Sequence, residues 1–164
     1  MHRERHLTWE NPAQLAEAVR TQSGLECLRQ VIAGHLPPPP MARLMEIRLI
    51  EVEPGRAVFV AAPAEYHLNP HGVVHGGFGT TLLDSAMGCA VFATLDAGDI
   101  YTTLEFKINF LRPLSAGIGE LRGVGTVLHA GRTVALAEGR LESSDGTLYG
   151  FATSTCLIRR GARD

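Results

Sequence analysis

The stretch NPHGVVHGG, Asn69 to Gly77, runs directly into FGTTLLDSAMG, which places Asp84 in a long apolar segment. A helix that starts at Gly76 and Gly77 leaves unpaired N–H groups at the positive end of its dipole. Two glycines there let a ligand come close to the backbone. A carbonyl oxygen held by those N–H groups is polarised, and the charge that develops on attack is stabilised. Asp84 lies about 12 Å further along such a helix, too far to serve the same carbonyl within one chain. It can serve if the helix of a second copy runs alongside. A carboxylate in apolar surroundings, with no basic neighbour in sequence, is a candidate general base or nucleophile. The alternative is a structural helix residue or an ion-pair partner between subunits.

The elements that position these residues follow from pattern. Residues 76–95 are apolar almost all round and lack period-two alternation, which predicts a buried helix. Residues 63–74 read as a loop, because Pro70 and Gly72 deny it regular structure. Before it, residues 44–53 and 56–61 read as two strands joined at Pro54 and Gly55, with a phase slip at Leu49 and Ile50 that suggests a bulge. After it come strands over 101–112, 118–129, 132–143 and 147–158, the last pair joined at Asp145-Gly146. In the first of these four, Leu104, Phe106, Ile108 and Phe110 alternate with Thr103, Glu105, Lys107 and Asn109, which predicts opposite faces. Ala135, Ala137 and Gly139, with Gly150, Ala152, Ser154 and Cys156, form rows of small residues that let a helix sit tight against the sheet. No strand–helix–strand repeat occurs, so the expected class is α+β: an antiparallel sheet wrapped around one central helix.

Residues 1–40 read as an N-terminal helical extension and residues 41–160 as the main domain. Asn11 and Pro12 are a helix start. A second helix follows Ser23 and Gly24, with Leu25, Leu28, Val31 and Ile32 on one face. The four prolines at 37–40 predict an extended, stiff connector.

The totals bound the function. A chain of 164 residues fits one domain and can bury a core without disulfides or metal staples. A net charge of −2 gives no basic field for nucleic acid or anionic membrane. Cys27, Cys89 and Cys156 are scattered and odd in number, which suggests reduced thiols and a cytoplasmic setting. The N-terminus has no apolar core of a signal peptide. As a membrane span, the segment around Asp84 would place a carboxylate in lipid, at high cost. His67, His71 and His75 recur at intervals of four, but Pro70 and Gly72 break the helix a metal face would need. There is no G-x-S-x-G elbow and no dinucleotide-binding glycine fingerprint.

The block NPHGVVHGGFGTTLLDSAMG resembles the asparagine–histidine–glycine–glycine–aspartate signature of hotdog-fold acyl-CoA thioesterases, in the phenylacetate-degradation (PaaI-like) branch. His75 follows Asn69 by six positions and Asp84 follows His75 by nine, as in that signature. TTLEFKINFLRP and VLHAGRTVALAEGRL resemble the family's central strand and following hairpin. The resemblance implies a long helix wrapped by an antiparallel sheet, dimers joined sheet to sheet, frequent tetramers, and active sites between subunits. It implies that Asp84 is the base or nucleophile and that the N–H of Gly76 or Gly77 polarises the thioester carbonyl. Asn69 and His75 would shape the loop near the carbonyl or water, with simple bracing of the loop the alternative for His75. Thr103 would position water, or be an ordinary strand threonine. Arg112 and Arg132 would contact coenzyme A phosphates, or be solvated surface residues. The substrate would be an acyl-CoA with an aryl or short-to-medium acyl group, with water as second reactant and no metal or organic cofactor. A non-catalytic acyl-CoA binder and a hotdog dehydratase are the competing functions; the dehydratase branch does not carry the Asn69–His75–Asp84 spacing.

Overall fold

In the computed structural model, which describes residues 2–161, the chain runs through three short helices, two strands, one long helix and four strands. Helix α1 (Ala13–Thr21) has Pro12 as its N-cap residue, and Asn11 Oδ1 just before it accepts the Ala13 N–H at 3.0 Å. Helix α2 (Gly24–Ile32) opens on a reciprocal capping box: the Ser23 hydroxyl accepts the Glu26 N–H, and the Glu26 carboxylate accepts the Ser23 N–H.

The connector differs from expectation. Pro40 does not extend the proline run but begins helix α3 (Pro40–Met45), where a missing N–H costs nothing. Glu46 ends that helix in the left-handed region at φ 53°. Strand β1 (Arg48–Glu53) therefore starts later than its apolar pattern predicts. Its register slips between Leu49 and Glu51, as the phase slip foretold.

Strands β2 (Arg56–Ala61), β3 (Ile100–Phe110), β4 (Leu121–Ala130), β5 (Val134–Ser143) and β6 (Leu148–Arg159) complete one antiparallel sheet of order β1-β2-β4-β5-β6-β3. Helix α4 (Gly76–Phe92) touches all six strands. Leu82, Leu83, Ala86, Met87, Ala90 and Val91 are wholly buried on it, the burial expected of a helix that is apolar almost all round. The small-residue rows do the work expected of them: Ala135, Ala137 and Ala152 are buried against the helix. At Gly125 a Cβ would stand 2.3 Å from the Ala86 carbonyl carbon, so only glycine lets β4 come this close.

Strand β3 departs from strict alternation. Thr103 pairs with Cys156 and Glu105 with Thr155, leaving Leu104 as a bulge. The bulge shifts the phase of the strand. Tyr101 and Thr103 on one side of it, and Phe106 and Ile108 on the other, are all half-buried, while Leu104 is exposed at 56%. Thr103 thus shares the helix-facing side with Phe106, contrary to the alternation read from the sequence. Phe110 is exposed as well, although alternation grouped it with the inward residues.

Helices α1 and α2 are fastened to the end of α4. The Gly24 N–H donates to the Leu95 carbonyl at 3.0 Å, and the Gly98 N–H to the Val19 carbonyl at 3.1 Å. A Cβ at Gly24 would sit 1.9 Å from the Phe92 carbonyl oxygen, so glycine is required at this crossing. Among the described residues no helix is long and apolar enough to cross a membrane.

Candidate active site

The loop before α4 is closed on itself. Asn69 Oδ1 accepts the His71 N–H at 2.9 Å, and the Asn69 N–H donates to the Val73 carbonyl at 2.8 Å. Asparagine suits this turn because its short side chain bonds the backbone two residues on. Leu68 and Val74 then bridge the two loop arms, and a single 3-10 turn, Glu65–His67, precedes them. The loop is thus more ordered than its proline and glycine content suggests.

His75 is the N-cap of α4. Its N–H donates to the His67 carbonyl at 2.8 Å, and its Nδ1 accepts the Gly77 N–H at 2.9 Å. The second bond uses Nδ1 as an acceptor and leaves Nε2 as the nitrogen that can donate. It also occupies the Gly77 N–H. Among the described residues no acceptor takes the Gly76 N–H. Of the two glycines, Gly76 therefore has the donor to offer, at the positive end of a 17-residue helix. The ring of Phe110 lies 3.2 Å from where a Gly76 Cβ would be, which brings the far end of β3 to this corner.

Asp84 is half-buried two turns along α4. Thr103 Oγ1 donates to its Oδ1 at 3.0 Å. Among the described residues Asp84 is in no ion pair. Its neighbours are held neutral: burial, with the Asp84 charge adding to it, pushes the Cys89 thiol up to about 12. Burial, reinforced by the nearby Cys89 and Cys156 sulfurs and the Asp84 carboxylate, likewise drives the Tyr101 hydroxyl well above its ordinary value. The carboxylate thus has one oxygen anchored by a hydroxyl and no cation to neutralise it.

Asp84 also forms part of the floor of a cavity of about 1110 Å³. Ser85, Cys89 and Phe92 continue that floor along one face of α4, and α1, α2 and β1 supply the walls. Sequence reasoning missed these wall residues. The helical spacing of Leu28, Val31 and Ile32 was visible, but not that their face covers the helix bearing Asp84.

Arg112 and Arg132 are both exposed and are not brought together. Arg112 Nη1 donates to the Leu148 carbonyl at 2.5 Å, at the start of β6. Arg132 sits in the β4–β5 turn, where its carbonyl accepts from Arg160, just past the end of β6. Roughly 30 Å of extended strand separates the two positions, so one protomer cannot present both to the same diphosphate. His67 accepts the Ala64 N–H at Nδ1 and packs against Tyr66 and Phe78, which burial reinforces by lowering its pKa. Among the described residues no group of three or more His, Cys, Asp or Glu is arranged to hold a metal ion.

Comparison with known proteins agrees with this architecture. Residues 71–149 match the thioesterase superfamily. A relative from Saccharolobus solfataricus, named as an esterase, is 34% identical over 72% of this chain and 82% of its own length. Acyl-coenzyme A thioesterase 13 of Mus musculus is 28% identical over 67% of this chain and 78% of its own. Among solved structures, a phenylacetic acid degradation-related protein from Ralstonia eutropha JMP134 superposes with a TM-score of 0.72 at 33% identity, covering 79% of this chain and 98% of that one. The helix wrapped by a six-stranded antiparallel sheet, the spaced Asn69–His75–Asp84 set and these matches lead to one conclusion: the chain belongs to the thioesterase superfamily and has its hotdog fold, with PaaI-like proteins among its structural neighbours.

Proposed function

We propose that this thioester hydrolase acts on acyl-CoA, with Asp84 as the group that delivers water to the acyl carbon or attacks it directly. The observation that carries this reading is the Asp84 carboxylate: half-buried, anchored on one oxygen by Thr103, unpaired with any cation among the described residues, and open to a cavity. As a base, Asp84 takes a proton from water while the oxygen adds to the thioester carbon. Negative charge moves to the carbonyl oxygen, where an oriented N–H stabilises it. Collapse of that intermediate breaks the C–S bond, and the leaving thiolate takes the proton back. As a nucleophile, the same carboxylate adds to the acyl carbon and expels the CoA thiolate, which leaves a mixed anhydride; water opens that anhydride to the free acid and the carboxylate, and the thiolate takes the proton released.

The Gly76 N–H is the donor best suited to the oxyanion, supplied by a second copy of the chain. Two features favour such a dimer. Strand β3 is a sheet edge with unpaired backbone groups, and Leu104 and Phe110 are exposed along it. Pairing of two β3 edges lays two α4 helices side by side, so that each Asp84 meets the other copy's loop. Further pairing of dimers into a tetramer is part of the same reading, as are a cytoplasmic setting, which three free thiols favour, and phosphate contacts by Arg112 and Arg132 from different protomers. Reaction of purified protein with a panel of acyl-CoAs, followed by free thiol release, tests the activity. Hydrolysis is expected. Binding of acyl-CoA without turnover would favour the non-catalytic binder instead.

A further inference from the structure

We propose that the N-terminal helices build the acyl-chain pocket of this protein, and that its substrates are acyl-CoAs with an alkyl chain of medium to long length. The inference rests on the reading of Asp84 as the hydrolytic group. The cavity floor runs from Asp84 through Ser85 and Cys89 to Phe92, one helical face about 12 Å long. Facing it, α1 contributes Leu15 and Val19, α2 contributes Leu28 and Val31, and Leu36 closes the wall. None of these five can donate or accept a hydrogen bond from its side chain, so the side of the cavity that α1 and α2 build favours an apolar acyl group. Glu10, Gln14, His35 and Arg43 are exposed and form the mouth, while the half-buried polar groups of the lining, Asp84, Ser85 and Tyr101, lie at the floor on α4 and β3.

Size points the same way. At about 1110 Å³ the cavity exceeds what a single aromatic ring fills, and it lies just above the ~300–1,000 Å³ common for ligand pockets. The walls are fixed rather than loosely draped: the Ser23–Glu26 capping box sets the start of α2, and Gly24 locks it onto the end of α4. The Glu10–Arg43 ion pair spans the mouth, with Arg43 Nη2 donating at 2.6 Å. An apolar wall that no side chain fills forfeits dispersion contacts, and an alkyl chain restores them. The helices α1 and α2 lie outside the matched family segment, residues 71–149.

The test uses full-length wild type, Val31→Trp and Leu15→Trp, each checked for fold by circular dichroism. Thiol release is measured with acetyl-CoA and decanoyl-CoA, and binding of free decanoate by calorimetry. Wild type is expected to prefer decanoyl-CoA in kcat/KM. In each folded variant, kcat/KM for decanoyl-CoA should fall about tenfold or more while that for acetyl-CoA stays within about twofold, the pattern of steric exclusion from an apolar pocket. Decanoate binding should weaken in parallel. A flat or falling chain-length profile in wild type overturns the proposal without need of any variant. So does a loss shared equally by both substrates. If wild type hydrolyses neither thioester, the enzymatic reading fails separately, and decanoate binding by wild type against the variants still decides the pocket.

Discussion

Thr103 Oγ1 donates to Asp84 Oδ1 at 3.0 Å, across the gap between β3 and α4, because β3 bulges at the next residue, Leu104. Without that bulge the phase set by Phe106 and Ile108 would turn Thr103 to the outer face of the sheet. The bulge thus orients the carboxylate, and its consequences can be measured.

Replacement of Asp84 by Asn or Ala is expected to lower kcat for acyl-CoA hydrolysis about a hundredfold or more, the scale for loss of a positioned base. Circular dichroism and melting should show the fold retained. Equal rates in wild type and both variants, followed by thiol release, would remove Asp84 from the chemistry.

Thr103→Val keeps the shape of the side chain and deletes the hydroxyl donor. Hydrogen bonds to charged groups contribute roughly 1.5–3 kcal/mol, so a fall in kcat of about tenfold or more is expected. Thr103→Ser should recover most of it. Failure of serine to rescue would mean that the methyl group, not the hydroxyl, matters at this site.

Cys89 should resist alkylation in the folded protein at pH 8. Burial raises its thiol from an ordinary value of 9.0 to about 12, so the reactive thiolate is scarce. The linkage has a definite sign. Above pH 9 the unfolded chain releases this proton while the folded chain keeps it, so this group's contribution to stability falls as pH rises toward 12. Mass spectrometry after a timed iodoacetamide pulse, with and without denaturant, checks the first statement; prompt modification of native Cys89 would contradict it.

Asp99 is 1% exposed and accepts from Arg160 Nη1 at 2.6 Å and from the Gly161 N–H at 2.9 Å. Asp99→Ala leaves these donors behind and should destabilise the fold by about 3 kcal/mol. Chemical denaturation reads the change. Activity per folded molecule should be preserved, since the pair lies at the C-terminal end of β6.

Much of this arrangement was legible in the sequence. The all-round apolarity of α4, the Asp145-Gly146 turn and the phase slip at Leu49 and Ile50 each corresponded to a single local structure. What escaped was decided by tertiary context. Leu104 is apolar and satisfied the alternation, so the bulge that frees Thr103 left no compositional trace. Pro40 can end an extended run or begin a helix, and only the packing of α3 selects the second. The spacing of Asn69, His75 and Asp84 suggested a site, but it could not tell that His75 Nδ1 accepts the Gly77 N–H while no described residue accepts that of Gly76. Nor could a linear sequence show that Arg112 and Arg132 stand at opposite ends of β6.

One active site is expected to join Asp84 of one copy to the Gly76 N–H of another, and complementation between two variants decides whether it does. Gly76→Pro deletes that N–H at the first helical position, where proline is tolerated, and His75 before it already has the extended backbone that proline demands (φ −60°, ψ 135°). Asp84→Asn and Gly76→Pro are each expected to be nearly inactive alone. Mixed in equal amounts, unfolded and refolded together, they should recover roughly a quarter of wild-type activity, because half of the symmetric dimers become mixed and each has one intact site. Mixed dimers that form, as judged by native mass spectrometry, yet recover no activity would contradict the shared site.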